Sequence, residues 1–314
     1  LLGAAGPAAA CGGLIGENGS ISLVRTTTLA AWHDGIEHYV TSFEFSGTGE
    51  SVGSIVPLPG IPTDVTPAGE WTLQRLQLEV QPPATTVASG AGGEAASADS
   101  AQVLLETEVD ALDIAILQGG GDEVGEWALR NGFFLTPDAP AMLDFYGDRS
   151  QIFMAAKFDA ARAAEQGLVG GQGTPVHLTI PTPRPWVPLS ILGLGLDDDQ
   201  RVEADIFLLT DDEPALLAGG TGLDVRRSEA ASDLLLDDLR SDRGMAWVPE
   251  DMWLTHLTLD EAAGDLDYDL SAGTADRGPS MVDAGLGVTE ERAAEAIDPA
   301  DDRTGAGRTL AWAG

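Results

Sequence analysis

The sequence predicts an α+β protein in which mixed or antiparallel β-sheets carry a few short helices packed on them. Three observations predict this. Runs with period-two alternation recur along the chain, short segments of helical spacing bounded by Gly, Pro or Asn lie between them, and Asp34-Gly35 joins two runs as a tight hairpin. The chain of 314 residues buries a sizeable core, and its apolar content of 43% is that of a globular protein.

The elements follow in order. Residues 1–10 read as the remnant of a signal peptide, an apolar end followed by small residues, so the protein is expected to be exported and extracellular or associated with the cell surface. Cys11 follows directly and is the only cysteine, which excludes an intramolecular disulfide and leaves lipidation of Cys11 as one reading and a lone thiol as the other. Residues 11–83 form a β-rich part with one helix. With Asp34-Gly35 as the turn, His33 pairs with Ile36, Trp32 with Glu37 and Ala31 with His38. Trp32, Tyr39, Phe43 and Phe45 then share the core face, and His33 and His38 share the other, where two imidazoles make half of a divalent-metal site. Residues 54–59 continue as a strand closed by prolines. Trp71, Leu73, Leu76 and Val80 have helical spacing, and Pro82-Pro83 ends that helix. Residues 84–101 are a low-complexity loop.

Residues 102–270 are the central and C-terminal α+β part of the same fold. Strands over 103–109 and 112–117 lead through Gly119-Gly120-Gly121 into a helix over 123–130, capped by Asp122 and ended by Asn131-Gly132. The glycine run lacks the lysine and hydroxyl residue of a phosphate-binding loop, and Asp122, Glu123 and Glu126 repel phosphate. Asp138 and Pro140 open a second helix that buries Leu143 and Tyr146. A strand over 152–158 carries Lys157, the only lysine, a candidate desolvated amine. Residues 160–173 read as a loop, 176–180 as a strand and 181–188 as a stiff proline-rich connection that lays Trp186 over the core. Trp127, Lys157 and Trp186 are the candidate ligand-binding cluster, rigid aromatics near a lone cation. Strands over 191–196 and 202–209 flank Asp197, Asp198 and Asp199 as a hairpin, and those three carboxylates are a candidate calcium turn without the spacing of an EF-hand. A helix over 234–240, a strand over 252–259 and an edge strand over 265–270 with outward carboxylates follow. Residues 271–314 read as a disordered acidic tail.

In their order along the chain, Ala10-Cys11, the 54–59 strand, Trp127 with Asn131-Gly132-Phe133, Tyr146, Phe153 to Lys157 and Trp186 to Leu189 carry a resemblance. Over Cys11 to Leu270 the sequence resembles the bacterial domain of unknown function 2330 family. The resemblance implies an exported protein, commonly with a signal peptide and often with a C-terminal membrane helix, and implies no established activity and no catalytic residues. The chain departs from that pattern at its end, where no apolar run of about twenty residues follows.

The net charge of −35 repels phosphate backbones and anionic headgroups, so nucleic acid is not an expected partner. Nucleophile-elbow, zinc-protease and cofactor fingerprints are missing from the sequence, and no cofactor is expected. The expected function is an exported cell-envelope protein that binds an unknown envelope component or supports surface structure without catalysis. The alternative is a metal-dependent enzyme or calcium-binding module with a divalent ion at His33 and His38 or at the Asp197 turn.

Overall fold

The Asp34-Gly35 turn forms with both residues at positive φ, 51° and 85°, the backbone of a two-residue turn whose twist matches its strands. It joins β2 (Thr26–His33) to β3 (Ile36–Thr41) in the expected register, His33 opposite Ile36, Trp32 opposite Glu37 and Ala31 opposite His38. The computed structural model describes residues 13–16, 26–42, 52–69, 71–80, 101–159, 162–163, 165, 175–216, 220–274 and 278. Residues 1–10, Cys11, Phe43, Phe45, the 84–100 stretch and the tail beyond residue 278 lie outside them.

This hairpin is the middle of a seven-stranded sheet ordered β13-β14-β11-β2-β3-β9-β5. Its other strands are β5 (Asp64–Pro67), β9 (Val176–Pro181), β11 (Arg201–Thr210), β13 (Leu223–Ala230) and β14 (Trp253–Ala262). Only β11 and β2 run parallel, so the sheet is mixed. A second, antiparallel sheet is ordered β1-β4-β8-β7-β6, from β1 (Gly13–Gly16), β4 (Val52–Pro57), β6 (Gln102–Val109), β7 (Leu112–Gln118) and β8 (Ile152–Phe158). A small third sheet joins β10 (Trp186–Val187), β12 (Ala215–Leu216) and β15 (Leu270–Gly273).

Alternation then sorts the apolar residues into layers. Between the large sheets lie Tyr39, Leu178 and Ile206 from one and Val56, Ile114 and Met154 from the other. The outer face of the five-stranded sheet is covered by α2 (Gly121–Arg130) and α3 (Ala139–Gly147), which bury Trp127 and Tyr146 against Phe153 and Leu117. The outer face of the seven-stranded sheet is covered by α1 (Trp71–Val80) and α4 (Asp233–Arg240), through Leu73, Leu76, Leu235 and Leu239. The architecture is α+β, helix–sheet–sheet–helix.

Local chemistry places the helix ends. The Asp242 carboxylate accepts the Thr72 amide and hydroxyl, both at 2.7 Å, and so caps α1 from across the fold. At α2 the cap residue is Gly120, and Glu123, not Asp122, works there, taking the Gly120 amide at 3.0 Å. Asn131 and Gly132, with φ 76°, end that helix as the sequence predicts.

Other expectations are corrected. Residues 191–196 are not a strand: Ser190–Gly193 is a turn of 3-10 helix and Gly195 holds φ 77°, so no hairpin surrounds Asp197 to Asp199. A short buried apolar run has no period to separate the two states. The edge strand expected over 265–270 is also absent: Ala263–Asp265 is a 3-10 turn, and the strand runs from Leu270 to Gly273, across the expected start of the tail. Asp265 and Asp267 face outward, but Asp269 is buried. Arg162 and Ala163, expected in a loop, are helical.

Candidate functional site

The proline-rich connection between β9 and the 3-10 turn is gripped by two buried carboxylates. Glu37, on the inner face of β3, accepts the Trp186 amide at 3.2 Å, and Asp269 accepts the Leu189 amide at 2.6 Å and the Ser190 amide at 3.1 Å. The Tyr146 hydroxyl, from α3, donates to the same Asp269 oxygen at 2.8 Å and accepts the Ile191 amide at 3.0 Å. A segment rich in proline has few amides to offer a sheet, and side chains supply what strand pairing leaves out.

Burial sets the protonation of these groups. It drives the Glu37 carboxyl well above the ordinary range, against the pull of the Trp186 amide. It lifts Asp269 to about 6, although the donors from Leu189, Tyr146 and Ser190 favour the charged form. It also raises Tyr146, with the Asp269 carboxylate adding to the effect. Glu37 holds the Trp186 amide with one oxygen and leaves its second oxygen without a partner among the described residues.

The predicted cluster of Trp127, Lys157 and Trp186 separates into structural parts. Both indoles are core residues of the layer under α2 and α3, Trp127 tilted against Phe133 and Trp186 edge-on to Tyr146. Lys157 lies half-buried on β8, and its Nζ donates to the Asn131 carbonyl at 2.9 Å. That carbonyl sits at the C-cap of α2, where a cation complements the helix dipole.

The histidines share a face as the hairpin predicts, yet each has another partner. His33 Nδ1 contacts Asp211 at 2.6 Å. His38 Nδ1 bonds His177 Nε2 at 2.9 Å, and Trp247 stacks on the His38 ring at 3.6 Å between centroids. Burial first, then His177 and His33, lower His38 to about 3; burial lowers His177 to about 4 against the pull of Asp64. Both rings are neutral, one donating and one accepting. Asp197, Asp198 and Asp199 form an exposed turn in which Gln200 accepts the Asp197 amide at 2.6 Å and the Asp198 carbonyl accepts the Gly264 amide at 3.1 Å. No group of three metal-ligating side chains occurs among the described residues.

The sequence pointed to none of Asp269, His177 and Asp211. Glu37 was not singled out either, although its pairing with Trp32 puts it on the core face beside Tyr39. Asp211 lies at a cleft of about 470 Å³ lined by Asp211, Asp212, Glu213, Asp251, Met252 and Trp253, among others. Four carboxylates beside an indole suit a cation.

The profile of a family described as an uncharacterized protein conserved in bacteria (DUF2330) matches residues 5–210. The chain belongs to this family. The DUF2330 match takes in Glu37, Trp127, Tyr146, Lys157 and Trp186 and stops at the end of β11, before α4, β14 and Asp269. No curated protein matches the chain. Among solved structures, a chain of the crystal structure of the caspase-8/P35 complex matches with 9% identity and a TM-score of 0.35. The match covers 82% of this chain and 92% of that one. No helix among the described residues is long and apolar enough to cross a membrane.

Proposed function

We propose that this DUF2330 protein is an exported cell-envelope protein that binds a cationic envelope component without catalysis. The observation that carries the reading is the cleft of Asp211, Asp212, Glu213 and Asp251 beside Trp253, set on a molecule of net charge −35. Such a surface draws cations by long-range attraction, and the indole offers a face to an ammonium or guanidinium group. Nucleic acid and anionic lipid are disfavoured by the same charge. Export, and lipidation at Cys11 as an anchor, rest on the small-residue run of residues 1–10; intact mass of the mature protein from its native host tests both.

The binding reading is tested by calorimetric titration with an oligolysine peptide. Binding is expected at low salt, weakened as salt rises and reduced about tenfold, or ~1.4 kcal/mol, by the triple change Asp212→Asn, Glu213→Gln and Asp251→Asn. Turnover against a panel of cell-wall and peptide substrates, or equal affinity in the triple variant, contradicts it. A second reading is a divalent cation at this rim, where His33 and Asp211 stand 2.6 Å apart with no third ligand beside them among the described residues. Elemental analysis of native protein and a calcium-dependent shift in Tm decide it, and they also test the Asp197, Asp198 and Asp199 turn.

A further inference from the structure

The inner face of the β2–β3 hairpin carries hydroxyls where a sandwich core is ordinarily apolar. Thr28 and Thr41 are direct cross-strand partners and Thr26 lies two residues back on β2, so all three side chains share one face. That face is the one between the large sheets. Their neighbours in register, Ala204 beside Thr26, Ile206 beside Thr28 and Val176 beside Thr41, all belong to the inner core. From the opposite sheet Ser54, paired with Ala156 of the same core, faces the same layer.

All four residues are 0% exposed, and none of their hydroxyl oxygens has a hydrogen-bond partner among the described residues. A buried hydroxyl left unsatisfied costs about 1–3 kcal/mol, and four of them would consume much of the ~5–15 kcal/mol that keeps a domain folded. Valine has nearly the volume of threonine and at least its preference for strands, so packing alone gives no reason for the hydroxyls. The same layer mixes small residues, Ala30, Ala156 and Ala204, with Ile206 and Val176 directly beside Thr28 and Thr41. A buried layer with several hydroxyls offers an internal water the two to four polar partners that it requires.

We propose that this layer is an internal hydration site, in which ordered water bound by Thr26, Thr28, Thr41 and Ser54 bridges the two sheets. The ligand is neutral, since the four groups bring hydroxyls and no charge. Water satisfies each as donor and acceptor at once, and the site makes the core dependent on its bound solvent.

High-resolution crystallography of the full chain, together with thermal unfolding of Thr28→Val and Thr41→Val, tests this. The expected result is isolated density about 2.7–3.0 Å from Thr28 Oγ1 and Thr41 Oγ1. Each valine variant is expected to melt about 2–4 °C lower, because it strands a water that has lost a partner. Absence of such density, or a Tm that holds or rises on removing a hydroxyl, overturns the proposal. Continuous density of a larger molecule at the same atoms overturns the assignment to water.

Discussion

The Tyr146 hydroxyl donates to Asp269 Oδ1 across 2.8 Å, joining residues 123 positions apart, and the same oxygen takes two backbone amides of the connection after β10. One carboxylate therefore ties α3, the 3-10 turn and the approach to β15 together. Burial raises Asp269 to about 6 from 3.8. Between those values the unfolded chain ionises first, so this group's contribution to stability falls as pH rises from about 4 to about 6 and is level above that. Asn at this position keeps the acceptor oxygen and removes the titration. Urea unfolding of wild type and Asp269→Asn at about pH 4 and pH 7 is predicted to shift in favour of the variant at the higher pH. A difference independent of pH contradicts the assignment.

The His38–His177 pair slopes the other way. Both rings titrate in the fold at about 3 and about 4, below the ordinary 6.5. As pH falls through 6.5 the unfolded chain takes up protons that the folded one refuses, so this part of the stability is full above 6.5 and is lost progressively down to about 3. Replacing both by Gln is predicted to flatten that acid loss. Denaturation midpoints at about pH 7 and pH 5 check it, and an unchanged slope contradicts it.

Lys157 is a helix cap in this structure. Lys157→Met keeps the stem and removes the Nζ donor to Asn131, and a cost of about 1 kcal/mol is predicted. A loss several times larger, read from chemical denaturation, would point to a role beyond capping.

Capping from a distance holds α1. Asp242→Ala is predicted to cost about 1–2 kcal/mol by freeing the Thr72 amide and hydroxyl. Gly69→Ala is predicted to cost at least as much, because its Cβ would collide with the Asp242 carboxylate that caps α1. Far-UV circular dichroism during urea unfolding reads both, and a neutral Gly69→Ala contradicts the cap.

How much of this was legible in the sequence follows from the range of the interactions. The hairpin was readable to its register because Asp34 and Gly35 impose both the turn and the pairing. Helices α2 to α4 were readable because Pro140, Gly132 and the leucines of α4 are local signals. β13 was not, since Leu223–Ala230 is a largely exposed edge strand with few apolar residues to mark a face. Asp269 was misread because period two was applied where no strand exists, and in the fold two backbone amides and a tyrosine offset part of the cost of burying it. His177 was invisible as the partner of His38 because the β3–β9 pairing that joins them spans 139 positions.

Ligand binding is proposed for the acidic cleft at Asp211 and Trp253, while Trp127 and Trp186 pack in the core and Lys157 caps α2. One calorimetric titration of oligolysine into wild type, Lys157→Met and the Asp212→Asn, Glu213→Gln, Asp251→Asn triple variant tests it most directly. Wild-type affinity is predicted for Lys157→Met and about tenfold weaker binding for the triple variant. Binding that survives the triple change, or is lost with Lys157, contradicts it.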